Sequence, residues 1–297
     1  MTNLAVLVHE GKTLGKTSSE ELRPALSDAG IGDVPWFTVP KSKKAPKRVR
    51  QLLDDGVERL LVWGGDGTVR RCIDTFVAEN AKVELGILPA GTANLLAKAL
   101  AIPIDLRGAL DVALHGPPRA IDVGVVNDNA FAIMAGTGFD AMMIRDADSA
   151  KERLGRLSYV RAGVRNLRTS TAGVKVRVDG RDWFEGQAAC VLAGNMGRIL
   201  GGVEVFPHAR CDDGLLDFGV LTLKRRADWL RLGARALVHR IDSSPLVQMT
   251  QGSRATIRLD KKLPWELDGG DHSPAKKFDV SILPGRQSIC VPRIGPS

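Results

Sequence analysis

Over residues 1–120 short apolar runs alternate with amphipathic stretches. The hydrophobic period switches between about two and about 3.6, which marks strands and helices in turn. Leu4–Val8, Trp36–Val39, Leu60–Trp63 and Val83–Leu88 read as strands, the last two running straight into glycines and then a helix. Ser18-Ser19-Glu20-Glu21 has the capping-box pattern, in which a serine and a glutamate three residues apart satisfy each other's backbone N–H groups. It predicts a helix that ends near Gly30. Ala45–Asp55 reads as a second helix, closed by Gly56. Strands that alternate with helices predict a parallel, doubly wound sheet.

After Ile121 the pattern changes. Asn127-Asp128-Asn129 and Asp179-Gly180 are tight-turn signals between apolar runs, as in hairpins. Arg254–Asp260 alternates, with Ala255, Ile257 and Leu259 on one face, which suits an antiparallel sheet with one wet side. Helical stretches are expected at Arg153–Arg168 and Arg226–Arg240. The expected division is an α/β domain over 1–122 and a β-rich domain over 123–284, with 285–297 packing back onto the first.

Composition narrows the class. The chain has 297 residues, 44% hydrophobic and 26% charged, enough for two domains with ordinary cores and no need of disulfide staples. No apolar run approaches the ~18 residues of a membrane span, and no signal peptide is expected at the N-terminus. Cys72, Cys190, Cys211 and Cys290 are scattered without a CxxC pair, as in buried, reduced thiols of a cytoplasmic protein. His9, His115, His208, His239 and His272 show no zinc spacing. The net charge of +8 asks for an anionic partner: a nucleotide, a nucleic acid or an acidic membrane face.

Chemistry concentrates in two glycine loops. Gly64-Gly65-Asp66-Gly67-Thr68 follows one predicted strand and opens a helix expected to begin near Val69. Pro89-Ala90-Gly91-Thr92-Ala93-Asn94 occupies the next strand-to-helix turn. Glycines let backbone N–H groups approach a phosphate, and a helix N-terminus favours its charge. Two such loops on successive units converge where open α/β folds bind ligands. Asp66 is out of place beside a phosphate unless a metal-bound nucleotide or a proton-accepting role explains it; a helix cap is the plainer reading. Gly11-Lys12-Thr13 and Gly15-Lys16-Thr17 imitate the tail of a P-loop, but the required earlier glycines are Val6 and Glu10, so neither is one.

Together these loops resemble the diacylglycerol kinase catalytic family, which includes bacterial lipid kinases and the sphingosine and ceramide kinases. Gly64–Thr68 is followed at the family's distance by Leu88-Pro89-Ala90-Gly91-Thr92-Ala93-Asn94-Leu95-Leu96-Ala97. Further matches run to the end of the chain: Ile121-Asp122-Val123-Gly124, Gly136-Thr137-Gly138-Phe139-Asp140-Ala141, Gly155–Tyr159, Asn195 before Gly201-Gly202, Pro207 with Ala209, Asp212-Asp213-Gly214, and Asp268-Gly269. The resemblance implies an ATP-dependent kinase acting on a lipid hydroxyl, diacylglycerol first among candidates. It implies a nucleotide domain and a C-terminal β-sandwich with substrate between them. Thr38, Gly64, Gly65, Asp66, Gly67, Thr68, Gly91, Thr92 and Asn94 would then hold the nucleotide. Asp213, with the carbonyls of Arg210 and Leu215, would hold Mg2+.

Two positions depart from the family pattern. Its Asn-Pro turn after the first strand is here His9-Glu10-Gly11-Lys12. The glutamate of its C-terminal Asp-Gly-Glu is here Gly270, followed by Asp271. The expectation is that Asp271 or Asp268 accepts the hydroxyl proton, with Asp66 in support. An NAD kinase-like enzyme and a non-catalytic nucleotide- or lipid-binding homologue are the alternatives.

Lys41–Arg50 holds Lys41, Lys43, Lys44, Lys47, Arg48 and Arg50; Arg153, Arg156, Arg161, Arg165 and Arg168 form a second basic group, and Arg225, Arg226, Arg231 and Arg235 a third. Each alone reads as a solvated helix face. Together they suit peripheral attachment to the anionic inner face of a membrane, at about 1 kcal/mol per nearby cation. One tyrosine and no RNA-binding aromatic motif argue against nucleic acid. The lipid's identity and the oligomeric state are not legible.

Overall fold

The structure, a computed structural model, describes residues 3–138, 171–197, 205–222, 228 and 244–293. It divides into two compact units, residues 1–122 with 285–297, and residues 123–284. The second and third basic groups, Gly155–Tyr159, Gly201-Gly202, Phe139-Asp140-Ala141 and almost all of the two helical stretches expected there lie outside the described residues.

In the first unit, β1 (Leu4–His9) lies between β2 (Trp36–Val39) and β3 (Arg59–Gly64), and β4 (Glu84–Pro89) follows β3. All four pair in parallel, as the strand–helix alternation predicts. Both faces of the sheet are covered, so the strands read as continuous apolar runs. Val6, Val8, Leu61, Trp63 and Leu88 pack with Leu22 and Leu26 of α1 (Leu22–Asp28) and with Ala109, Leu110 and Ala113 of α5 (Leu106–His115). The alternate residues Ala5, Leu7, Leu60 and Val62 are equally buried on the other face. That face is served by α2 (Ala45–Asp54) and α3 (Asp66–Ala78); the short α4 (Leu95–Ala99) follows β4.

The capping box forms as its sequence requires. Ser18 Oγ accepts from the Glu20 N–H at 3.3 Å, and Glu21 Oε1 accepts from the Ser18 N–H at 3.0 Å. It opens a 3-10 turn that leads into α1. Helix α3 begins three residues earlier than expected: Asp66 is its first residue and Gly65 its N-cap.

The end of the chain completes this unit. Ile289 pairs in parallel with Leu85, adding a strand beside β4. Arg286 donates to the carbonyls of Phe76 at 2.6 Å and Ala81 at 2.9 Å, and Gln287 donates to that of Val83 at 2.8 Å. These carbonyls lie at and after the end of α3, where the helix itself supplies no partners. Asp122 accepts from the Gly285 N–H at 2.7 Å.

The second unit is antiparallel throughout its described strands. β5 (Pro118–Val126), which enters it from the first unit, turns through Asn127 and Asp128 into β6 (Asn129–Phe131). Both turn residues have positive φ, 46° and 66°, as a tight hairpin turn demands. β7 (Met134–Thr137) follows. β8 (Ala172–Val178) and β9 (Arg181–Ala188) form the Asp179-Gly180 hairpin. β10 (Cys190–Gly194), β11 (Leu216–Leu221) and β12 (Val247–Gly252) extend from β7. β13 (Arg254–Leu267) is the hub: its first half pairs with β8 and its last three residues with β7. β14 (Gly270–Cys290) pairs along it.

Along β13, Ala255, Ile257 and Leu259 are buried, as the alternation predicts. They join Phe131, Val176, Val191, Phe218, Trp265, Leu267 and Phe278 in one core. Trp265 meets Phe278 edge-on, centroids 5.5 Å apart. A second apolar cluster, with Cys190, Leu192, Phe206 and Val247, covers the other side of β10. A small apolar cavity remains in the main core, lined by Val126, Thr137, Val191, Ile257, Trp265 and Phe278 among others. All four cysteines are buried and none forms a disulfide. No described helix is long and apolar enough to cross a membrane.

Arg286→Ala leaves the α3 carbonyls without their charged donor. It should lower unfolding free energy by about 1–3 kcal/mol, read as a lower urea midpoint at unchanged slope. An unchanged midpoint would show that the returning segment does not support α3.

Candidate active site

The first unit brings the two glycine loops together. Gly64 ends β3, and a β-carbon there would lie 2.8 Å from that of Thr68. A β-carbon on Gly65 would lie 2.9 Å from the Gly91 Cα, and one on Gly91 would strike the Gly65 Cα and lie 2.6 Å from Asn94 Oδ1. The loops therefore meet backbone to backbone. The Ala90 N–H donates to the Gly64 carbonyl at 3.0 Å, which ties them.

Asn94 builds the second loop from within. Its Oδ1 accepts from the Gly91 N–H at 2.8 Å, and its Nδ2 donates to the carbonyls of Pro89 at 2.9 Å and Gly91 at 2.8 Å. It is buried, with φ of 48° in the left-handed region that asparagine tolerates. The expectation that Asn94 contacts a nucleotide is corrected: its amide is committed to the loop, and it positions Gly91 and Thr92. Thr92 is exposed, as are Gly67 and Thr38.

Asp66 is a cap, but of the neighbouring helix. Its Oδ1 accepts from the Leu96 N–H of α4 at 3.3 Å. Burial pushes its carboxyl above the usual range, while hydrogen bonds from the backbone of Leu96, Leu95, Asp66 itself and Asn94 pull it down. The carboxylate thus links the start of α3 to the start of α4 and offsets the N–H charge of both.

The first turn reaches the same place. His9 ends β1, and its Nδ1 lies 2.8 Å from Thr68 Oγ1. The Trp63 indole donates to the Lys12 carbonyl at 2.9 Å. Among the lysines and arginines of 41–50, Arg50 pairs with Glu79 at 2.6 Å, and Arg48 donates to Gln51 at 2.8 Å and lies over Phe37. Lys41, Lys43, Lys44 and Lys47 are exposed. Ser42 sits 3.9 Å from where a Gly67 β-carbon would be, so this basic turn flanks the first glycine loop.

The second unit holds the other carboxylates. Asp268 is buried, and its two oxygens accept from the N–H groups of Ala132 at 2.8 Å, Ile133 at 2.9 Å and Met134 at 2.9 Å. Asn195, also buried, donates to the Ala132 carbonyl at 2.8 Å. Both side chains fix residues 132–134. Asp268, expected as a proton acceptor, stands here as the acceptor of three backbone donors.

Asp271 is exposed and sits opposite Glu266 in the β13–β14 ladder. Glu266 also faces Gly136 of β7. Burial pushes its carboxyl up to about 7, with the charges of Asp271 and Asp268 adding to the shift. Sequence reading missed Glu266. The only signal was an acidic residue alternating with Trp265 and Leu267 on a strand whose other face is core.

The turn expected to hold a metal is compact. Asp213 Oδ1 accepts from the Leu215 N–H at 3.0 Å, Arg210 pairs with Asp212 at 3.3 Å, and Gly214 has φ of 74°. One carboxylate and two backbone carbonyls are hard oxygen donors and fit a Mg2+ that keeps several waters. Nearby Asp217 is raised by burial and by the charge of Asp213, while Gln251 donates to it, so this turn is locally negative. No group of three or more His, Cys, Asp or Glu side chains could hold a metal among the described residues.

The chain matches two family models in succession: the diacylglycerol kinase catalytic domain over residues 3–126, and the YegS C-terminal NAD kinase beta sandwich-like domain over residues 133–291. It is 34% identical over 221 residues to a Pseudomonas fluorescens protein named "Probable lipid kinase YegS-like", covering 73% of this chain and 72% of that one. It is 29% identical over 213 residues to a diacylglycerol kinase of Bacillus subtilis, covering 71% and 70%. Its fold is similar to that of a diacylglycerol kinase from Bacillus anthracis, with a TM-score of 0.73, 19% identity and coverage of 98% and 97%. Stacked glycine loops in an α/β unit, followed by a β-sandwich-like unit and matched in order over nearly all of the sequence, place this chain in the diacylglycerol kinase catalytic-domain family as a lipid kinase.

Proposed function

We propose that this kinase transfers the γ-phosphoryl group of ATP to the free hydroxyl of diacylglycerol, giving phosphatidic acid and ADP. The observation that carries the reading is the backbone-to-backbone contact of Gly65 and Gly91. Glycine loops packed this closely at the starts of two helices suit a polyphosphate, which helix N-termini attract. Thr38 and Thr92, both exposed, would bind the nucleotide beside Gly65, Gly67 and Gly91, with the buried Gly64 and Thr68 shaping the loop behind them.

In the transfer the acceptor oxygen bonds to the γ-phosphorus, the bond to the β–γ bridging oxygen breaks, and ADP leaves with the electron pair. The hydroxyl proton goes to the Asp271–Glu266 pair. A carboxylate titrating near neutrality is suited to that role, since it is ionised at working pH yet basic enough to take the proton. Asp213 with the carbonyls of Arg210 and Leu215 would hold Mg2+, which when bound supplies charge neutralisation. The lysines of 41–47 would attach the protein to anionic lipid.

Incubation with labelled ATP and mixed lipids should place label in phosphatidic acid. Label in a sphingoid or other lipid would replace diacylglycerol as substrate. Label in NADP, or no transfer despite nucleotide binding, would favour the alternatives set out from the sequence.

The pH dependence has a definite sign. Activity requires the ionised Glu266, so kcat/KM should rise with pH through a midpoint near 7 before it levels off. Glu266→Gln should abolish that rise and cost about 10²-fold or more. Asp271→Asn removes the like charge opposite Glu266 and should move the midpoint to lower pH. A flat profile with both variants fully active would remove the pair from the mechanism.

Changing Lys41, Lys43, Lys44 and Lys47 together to Gln should weaken binding to phosphatidylglycerol vesicles by about tenfold or more at low salt, with little change on neutral vesicles. Because the same turn flanks Gly67, the KM for ATP is measured in parallel. A raised KM with unchanged vesicle binding would assign these lysines to the nucleotide instead.

A further inference from the structure

His9 stands where three strand-to-helix turns meet. It ends β1, opposite Val39 at the end of β2, and the preceding Val8 lies opposite both Thr38 and Trp63. Its ring bonds the glycine loop. Nδ1 is 2.8 Å from Thr68 Oγ1. The Pro40 carbonyl, in the turn after β2, favours the ring's protonated form. Its own turn is fixed by the Trp63 indole on the Lys12 carbonyl and by the Lys12 N–H on the His9 carbonyl, 3.4 Å.

Thr68 is crowded against Gly64 and 1% exposed, so its side chain has little freedom. In the neutral tautomer protonated at Nε2, Nδ1 accepts from the Thr68 hydroxyl. In the imidazolium both nitrogens donate, and the Thr68 oxygen becomes an acceptor with its proton free to turn elsewhere.

We propose that His9 is a positioning residue of the nucleotide site: it ties the end of β1 to Thr68 of the glycine loop and takes up a proton when the nucleotide's phosphates bind. The inference rests on the nucleotide reading given above. Before binding, burial and then the Lys12 ammonium hold the imidazole below its ordinary range, while the Pro40 carbonyl and Glu10 oppose them. The charged groups acting on the ring are Lys12 and Glu10 of its own turn; the other two turns present the neutral Pro40 carbonyl and Thr68 hydroxyl. A polyphosphate at the adjoining loop adds several negative charges, which favour the imidazolium. Binding therefore draws in a proton, and affinity falls as pH rises through the bound-state range of His9.

The test uses the full chain and a non-hydrolysable ATP analogue with excess Mg2+, which keeps the nucleotide ionised. Titration calorimetry near neutral pH in two buffers of different ionisation heat reads the proton taken up. The wild type should take up a substantial fraction of a proton and bind about three- to tenfold more weakly at pH 8 than at pH 6. His9→Asn, which can still reach Thr68 but does not titrate, should take up none and lose the pH dependence while retaining nucleotide binding. His9→Gln, whose thermal stability is measured alongside, serves the same purpose if the shorter amide fails to fold. Uptake in both variants equal to that of the wild type, or tight wild-type binding with no uptake, would overturn the role of His9 alone. No binding of the analogue by folded wild-type protein would overturn the nucleotide reading and this inference together.

Discussion

Gly65 and Gly91 approach so closely that neither has room for a β-carbon, and the rest of the nucleotide half is arranged around that contact. The approach brings the N–H-rich starts of α3 and α4 near each other. Asp66 answers them with a carboxylate shared between the starts of α3 and α4, and Asn94 holds the second loop shut from inside. The hydrogen bond from Ala90 to Gly64 fixes the register of β4 against β3 at the same point. A phosphate site made this way owes its charge to the main chain, so it needs no nearby lysine to be attractive to anions.

The carboxylates show how environment, rather than residue type, separates roles. Asp268 and Asp271 are three residues apart, yet one accepts from three backbone donors while the other lies exposed across a ladder from Glu266. A carboxylate that already serves three N–H groups is a poor proton acceptor, because protonation would break bonds that hold residues 132–134. Glu266 is different: it is half-buried and faces like charge, so its proton is held until near neutrality. The gap left by Gly270 is thus flanked by one residue that shapes the turn and a pair that can titrate.

Much of this was legible in the order of residues. Period and punctuation identified the four parallel strands, the capping box at Ser18 and both tight hairpins, because each depends on neighbours within a few positions. The glycine loops were equally plain. What escaped was whatever depends on register. Glu266 meets Asp271 only because β13 and β14 fold back through Asp268-Gly269, and Asp66 caps α4 across 30 residues of chain. The start of α3 was misplaced because glycines weigh against a helix, whereas here Gly65 is its cap and Gly67 lies in its first turn. Asn94 looked like a ligand-binding amide because its own loop, its real partner, has no sequence signature.

The three turns at the end of the parallel sheet also explain why one departure in the first need not undo the site. A family that commonly places Asn-Pro after β1 uses a rigid turn there; this chain has Gly11 at φ of 67° and a histidine that bonds outward instead. Rigidity is transferred from the turn's own backbone to a side chain bonded to the glycine loop. Such a substitution keeps the position of Thr68 but makes it depend on an imidazole, whose hydrogen-bonding pattern changes with one proton. A site held by main-chain geometry alone would be indifferent to pH in this range. A glycine loop bonded by His9 is sensitive to it, because each protonation state of the ring dictates which atom of the Thr68 hydroxyl faces it.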